Sequence, residues 1–142
     1  MSEIYSGGCH CGNIKVTFHA TKPFEELPIR ACQCSFCRKH NVRATADPDG
    51  RLEIKITDET ALNRYHLGLG ITDFLVCRKC GVYVCATIED EEIGGTLATL
   101  VVNSLDLDQS RICEPVAAIY DDESEDGRRA RRRQRWMRAE FI

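Results

Sequence analysis

The chain has 142 residues, a 43% hydrophobic share and a formal net charge of −3, from 19 Lys and Arg against 22 Asp and Glu. That length suits one domain with a real core. The composition excludes wholesale disorder and a strongly basic nucleic-acid binder, and no apolar run is long enough to span a bilayer.

In chain order, the opening residues 1–8 carry no basic region followed by an apolar stretch, so no secretory signal is expected and the cytoplasm is the expected location. Residues 13–19 alternate, with Ile14, Val16 and Phe18 on one face, the period of a half-buried strand. Asp47-Pro48-Asp49-Gly50 is a turn signal ahead of a second alternating stretch, Leu52 to Ile56. Further strands are expected over Arg64–Leu67, Thr72–Val76, Val82–Ile88, Thr96–Val102 and Val116–Tyr120. Residues 89–92 and the Gly94-Gly95 pair read as an acidic surface loop. Many short strands between turns predict an all-β fold, and no repeat of 20–50 residues points to a solenoid or propeller.

The C-terminal segment changes character. An acidic run from Asp121 to Asp126 precedes Arg128, Arg129, Arg131, Arg132, Arg133, Arg135 and Arg138. Acidic residues before a helix and basic residues along it suit the helix dipole, so a helix is expected over about 128–138, with Trp136 and Phe141 docking it on the sheet. The expected division is therefore a β domain over 1–120 and an acidic/Arg-rich segment over 121–142 packed on it. Residues 121–142 carry seven Arg against six acidic groups, a net +1. That near-balance favours a solvated helix over an anionic-ligand or nucleic-acid patch for the segment as a whole, though an Arg face could still meet a phosphate or carboxylate.

Nine cysteines dominate the chemistry. The count is odd and no export signal is visible, so disulfides are not the natural reading. Seven fall into three clusters: Cys9-His10-Cys11, Cys32-Gln33-Cys34-Ser35-Phe36-Cys37 and Cys77-Arg78-Lys79-Cys80. Such spacing aims several sulfurs at one ion, and zinc favours a tetrahedron of them, although iron also takes cysteine ligands. Cys9, Cys11, Cys77 and Cys80 would supply four sulfurs, a closed structural site. Cys32, Cys34 and Cys37 would supply three, and three ligands with an open position describe a catalytic zinc. The alternative is that all seven are structural ligands or buried thiols, with another group completing the second site. Cys85, in a strand-like stretch, reads as a buried free cysteine, or else as that fourth ligand. Cys113 is not expected to ligate. His10, His19, His40 and His66 read as surface or packed residues.

These clusters resemble the glutathione-dependent formaldehyde-activating enzyme family, also named for centromere protein V. The match lies in Gly8-Cys9-His10-Cys11-Gly12, Cys32-Gln33-Cys34-Ser35-Phe36-Cys37-Arg38 and Cys77-Arg78-Lys79-Cys80-Gly81, with the looser Val102-Asn103-Ser104-Leu105-Asp106. The resemblance covers roughly residues 5–110. It implies a β-tent of stacked antiparallel sheets, similar to methionine sulfoxide reductase B. It also implies a structural zinc on Cys9, Cys11, Cys77 and Cys80 and an active-site zinc on Cys32, Cys34 and Cys37. The family reaction joins glutathione and formaldehyde, or cleaves the same carbon–sulfur bond. Where the family often has small residues after the third cluster cysteine, this chain has Arg38-Lys39-His40-Asn41-Val42.

On this reading the chain is a zinc-dependent carbon–sulfur lyase or synthase acting on a small thiol such as glutathione and an aldehyde. The trio would be catalytic, and Arg38 would bind a substrate carboxylate or simply offset the thiolate charge. Arg78 and Lys79 are read as charge compensation. The rival is a non-catalytic zinc module that uses its Arg-rich helix to bind protein or nucleic acid. Redox sensing through the trio is a third reading.

Overall fold

The computed structural model describes residues 2–142. β1 (Glu3–Gly8) and β2 (Ile14–Ala20) form an antiparallel hairpin with Gly8 opposite Lys15. Gly8 has φ +147°, and a Cβ there would lie 2.1 Å from the Ile14 carbonyl oxygen. Only glycine allows this approach, which turns the chain into the Cys9–Cys11 loop. Ile14, Val16 and Phe18 are buried on one face, as their alternation predicts. Between β2 and the next long strand lie β3 (Arg30–Cys32), α1 (Ser35–Lys39) and β4 (Ala44–Thr45). β5 (Arg51–Ile56) pairs with β2 and buries Leu52 and Ile54 against the same core.

A meander follows of β6 (Leu62–Tyr65), β7 (Asp73–Cys77), β8 (Tyr83–Asp90) and β9 (Gly95–Val101), each of the first three pairing antiparallel with the next. β10 (Val116–Ala118), α2 (Glu125–Arg135) and β11 (Met137–Phe141) complete the chain. The strands join into one sheet of order β1-β2-β5-β11-β9-β4-β3-β10, with β8, β7 and β6 following from the other edge of β9. The all-β expectation holds, but the pairing is mixed, because β11 runs parallel to β5 and β10 parallel to β3.

β8 is buried along nearly its whole length because the sheet is covered on both faces here. One face carries the core of Phe18, Leu52, Ile54, Leu75, Cys85, Leu100 and Met137. The other carries Cys37, Phe74, Tyr83, Ala86, Leu97, Val101 and Trp136. A β-bulge sorts the two. Between the pairs Leu75↔Cys85 and Val76↔Tyr83, β7 advances one residue while β8 steps back two, so Val84 is the extra residue. Strict alternation would put Tyr83 beside Cys85. The bulge turns it to the face of Cys37.

Two expectations are corrected in the acidic and basic segments. Glu89 and Asp90 belong to β8 rather than to a surface loop, and Asp90 is buried. Its carboxylate accepts from the backbone of Glu92 and Ile93 and from Arg133 Nε, which compensates the burial. The terminal helix runs three residues earlier than expected. Ser124 caps it by accepting from Gly127 N at 3.0 Å, with Glu125 and Asp126 in the first turn. It stops at Arg135 because Met137, fully buried, is held in a strand between β5 and β9. Phe141 therefore lies on β11 opposite Ile54.

Candidate metal centres and an arginine-walled cavity

The hairpin loop after β1 and the turn after β7 bring Cys9, Cys11, Cys77 and Cys80 together, all four Sγ atoms within 4.8 Å of one another. Cys9 and Cys11 sulfurs lie 3.8 Å apart, and Cys11 and Cys77 sulfurs 3.5 Å. Four sulfurs bound to a common zinc at about 2.3 Å would stand about 3.8 Å from each other. The cluster thus fits a tetrahedral ion. Ile14 N donates to Cys9 Sγ at 3.2 Å and Cys80 N to Cys77 Sγ at 3.5 Å, the orientation that stabilises thiolates. Burial pushes the Cys9 thiol up to about 11. Burial acts the same way on Cys80, but backbone N–H groups led by Cys11 outweigh it and hold that thiol at about 6. Gly81, at φ +80°, makes the turn that closes the knuckle.

The second cluster is local. Cys32 ends β3, Cys34 is the N-cap of α1 and Cys37 lies in its first turn, with Cys37 N donating to Cys34 Sγ at 3.4 Å. Their Sγ atoms also lie within 4.8 Å of one another, and no further His, Cys, Asp or Glu joins them among the described residues. Cys85 is buried in the opposite core, so it is not the missing ligand. Three thiols this close cannot ionise alike. Hydrogen bonds from Cys32 and then Cys37 pull Cys34 well below the usual thiol range, and the same contacts push Cys37 far above it. A bound cation would favour the thiolate at all three.

The trio opens into a cavity of about 330 Å³. Leu67, Phe74, Tyr83 and Trp136 give it apolar walls, while Arg30, Arg128, Arg131 and Arg132 bring charge. Glu123 accepts from Arg131 at 2.7 and 2.9 Å and from Arg128 at 3.3 Å. Burial keeps the Tyr83 phenol neutral by pushing its pKa upward. Asn103 accepts from Arg43 N at 3.1 Å, holding the segment that follows α1.

Arg38 lies elsewhere. It is exposed, outside the cavity wall, with Nε donating to the Gln33 carbonyl at 3.2 Å. Successive helix residues point about 100° apart, so Cys37 facing inward turns Arg38 outward. The charged wall comes instead from α2, whose cavity role no local motif in the sequence signals. His40 is exposed and packs on Phe36, His19 pairs with Glu53, and His66 with Asp73. Cys113 Sγ donates to the Glu25 carbonyl on the surface.

Residues 4–123 match the family model for the glutathione-dependent formaldehyde-activating enzyme. The chain belongs to that family. Its fold also resembles a crystal structure of a Rhodobacter sphaeroides protein, with 23% identity, a TM-score of 0.60, and coverage of 80% of this chain and 99% of that one. Membership suggests an enzyme of the formaldehyde-activating type, and both cysteine clusters lie within the matched residues. No helix among the described residues is long and apolar enough to cross a membrane. Residues 124–142, beyond the family match, contribute Arg128, Arg131, Arg132 and Trp136 to the cavity.

Proposed function

We propose that this chain is a zinc-dependent carbon–sulfur lyase or synthase that joins a thiol such as glutathione to a small aldehyde, or reverses that addition. One observation carries the reading: a three-cysteine cluster with no fourth protein ligand among the described residues opens into a cavity. Cys9, Cys11, Cys77 and Cys80 would hold a structural zinc, and Cys32, Cys34 and Cys37 an active-site zinc. Zinc bound to the trio supplies a Lewis-acidic open position, which favours the thiolate form of a substrate thiol at neutral pH.

In the forward direction the thiol loses its proton to water, and its sulfur lone pair forms a bond to the aldehyde carbon. The carbonyl π pair moves to oxygen, which takes up a proton, so the hemithioacetal is the sole product. The reverse reaction breaks the same bond. The apolar wall of Leu67, Phe74 and Tyr83 limits bulk water beside the reacting atoms. The arginines draw an anionic thiol toward the trio by charge. The second function considered, an Arg-rich recognition helix, has most of its cations engaged or buried: Arg128 and Arg131 pair with Glu123, Arg129 with Glu125, Arg133 with Asp90 and Glu92, and Arg132 is buried, which leaves Arg135 as its one exposed arginine without an ion pair among the described residues.

Two measurements test the proposal. Protein purified without chelator should contain two zinc ions per chain. By exchange NMR it should speed interconversion of glutathione and its hydroxymethyl adduct, whereas Cys34→Ser should not. An exchange rate equal to that of buffer, on protein holding both ions, would reject the activity.

A further inference from the structure

Arg132 differs from its neighbours on α2. It is 7% exposed yet makes no ion pair with any described residue. Nη1 donates to Thr72 Oγ1 at 2.6 Å, while Nε is buried without an acceptor. The guanidinium lies 4.2 Å from the Trp136 ring and borders the cavity. Arg30, half-buried in the same wall, also makes no ion pair among the described residues. Of the two acids that line this cavity, Glu123 is already taken by Arg128 and Arg131, and Asp121 makes no ion pair with Arg30 or Arg132. A buried guanidinium with an unused donor is costly unless something anionic meets it. Burial, followed by the Arg131 and Arg128 charges, lowers the Arg132 pKa to about 9, the direction of a site short of negative charge.

We propose that Arg132, together with Arg30, forms a carboxylate-binding subsite in the cavity wall and determines which substrates reach the cysteine trio. This rests on the proposed carbon–sulfur activity for its consequence, but not for the binding itself. A planar guanidinium fork matches a carboxylate, and the Trp136 face beneath it fixes its plane. Arg132 lies on α2, in the segment that follows the family match, whereas Arg30 on β3 lies within it. The carboxylate could be carried by the thiol partner or by the aldehyde.

Trp136 is the sole tryptophan, so its fluorescence reports on the guanidinium stacked against it. The full, zinc-containing chain is titrated with S-methylglutathione, which has carboxylates but no thiol, and with glyoxylate, an aldehyde bearing a carboxylate. The dimethyl ester of the first and methyl glyoxylate are the uncharged controls. At least one acid should give saturable quenching, roughly tenfold tighter than its ester, as expected for a charge-assisted hydrogen bond. The acid that does so identifies the source. Arg132→Met, which keeps an apolar stem on Trp136, should lose that preference, and Arg132→Lys should weaken it. If either variant fails to fold, the acid-to-ester comparison on the natural chain still decides. Equal binding of acids and esters, or no saturation by about 10 mM, overturns the subsite. Neither titration uses the thiol chemistry, so the subsite stands or falls apart from the activity.

Discussion

Cys80→Ser should destabilise the protein far more than Cys34→Ser, because the two clusters close loops of different size. Cys11 and Cys77 are 66 residues apart, whereas the trio spans only residues 32 to 37. Loop-closure entropy grows as (3/2)RT ln n, so the long clip is worth roughly 2 kcal/mol more than the short one. Structural zinc adds to this, since its apparent binding free energy in zinc-finger peptides, about 10–16 kcal/mol, matches or exceeds the whole stability of a typical domain. Cys34→Ser keeps an oxygen able to cap the Cys37 N–H, which limits the cap loss to about 1 kcal/mol. At about 4 °C per kcal/mol for a chain of this length, the entropic part alone should separate the melting temperatures by about 8 °C. Circular dichroism melts on samples of known zinc content measure this directly. Equal melting losses in the two variants would refute the division into a structural and a reactive ion.

Other consequences can be checked in the same laboratory. Phe18, fully buried between β1 and the core, should cost about 3–5 kcal/mol when changed to Ala, read from denaturant midpoints. Deleting Val84 should regularise β8 while keeping Tyr83 on the Cys37 face, because Tyr83 and Cys85 would then be adjacent and alternate, so two zinc ions and thiol exchange should both be retained; loss of exchange in a folded, zinc-loaded variant would show that the bulge itself is needed. Glu25 is held at about 2 by hydrogen bonds from Arg111. Its folded pKa lies below the unfolded value, so its contribution is full above pH 4.5 and is lost as pH falls through about 2. A carboxyl NMR titration should show that midpoint, and Arg111→Ala should return it toward 4.5.

The parts of the fold that were legible are those where local pattern and burial agree. Ile14, Val16 and Phe18 alternate because one face of β2 meets the core, and the cysteine clusters are readable because metal ligation needs close spacing. The bulge at Val84 leaves no such trace, since it depends on the register of β7. Arg38 drew attention by adjoining Cys37, but helix geometry turns neighbours in sequence away from each other. Arg132 sits 95 residues beyond Cys37 in the chain, and only the docking of α2 places both on one cavity. Met137 to Phe141 lacks the β-branched residues of a self-evident strand, and its conformation comes from the slot between β5 and β9.

That slot explains why the segment beyond the family match is not an appendage. β11 is an interior strand, paired on both edges, so removing it would leave one edge of β5 and part of one edge of β9 without a partner and expose the core at Met137. A chain ending at residue 123 should therefore lose its cooperative melt; retention of that melt would mean the sheet closes without β11. To reach the slot, α2 crosses the cavity side of the sheet. Arg128, Arg131 and Arg132 share one helix face by their i, i+3 and i+4 spacing, and all three border the cavity. A helix normally turns apolar residues inward. Here the inward face is cationic, with one acid, Glu123, shared by two of the three. The strand that completes the sheet thus fixes a charged wall beside the reactive cysteines, and the third cation, Arg132, is left for a ligand.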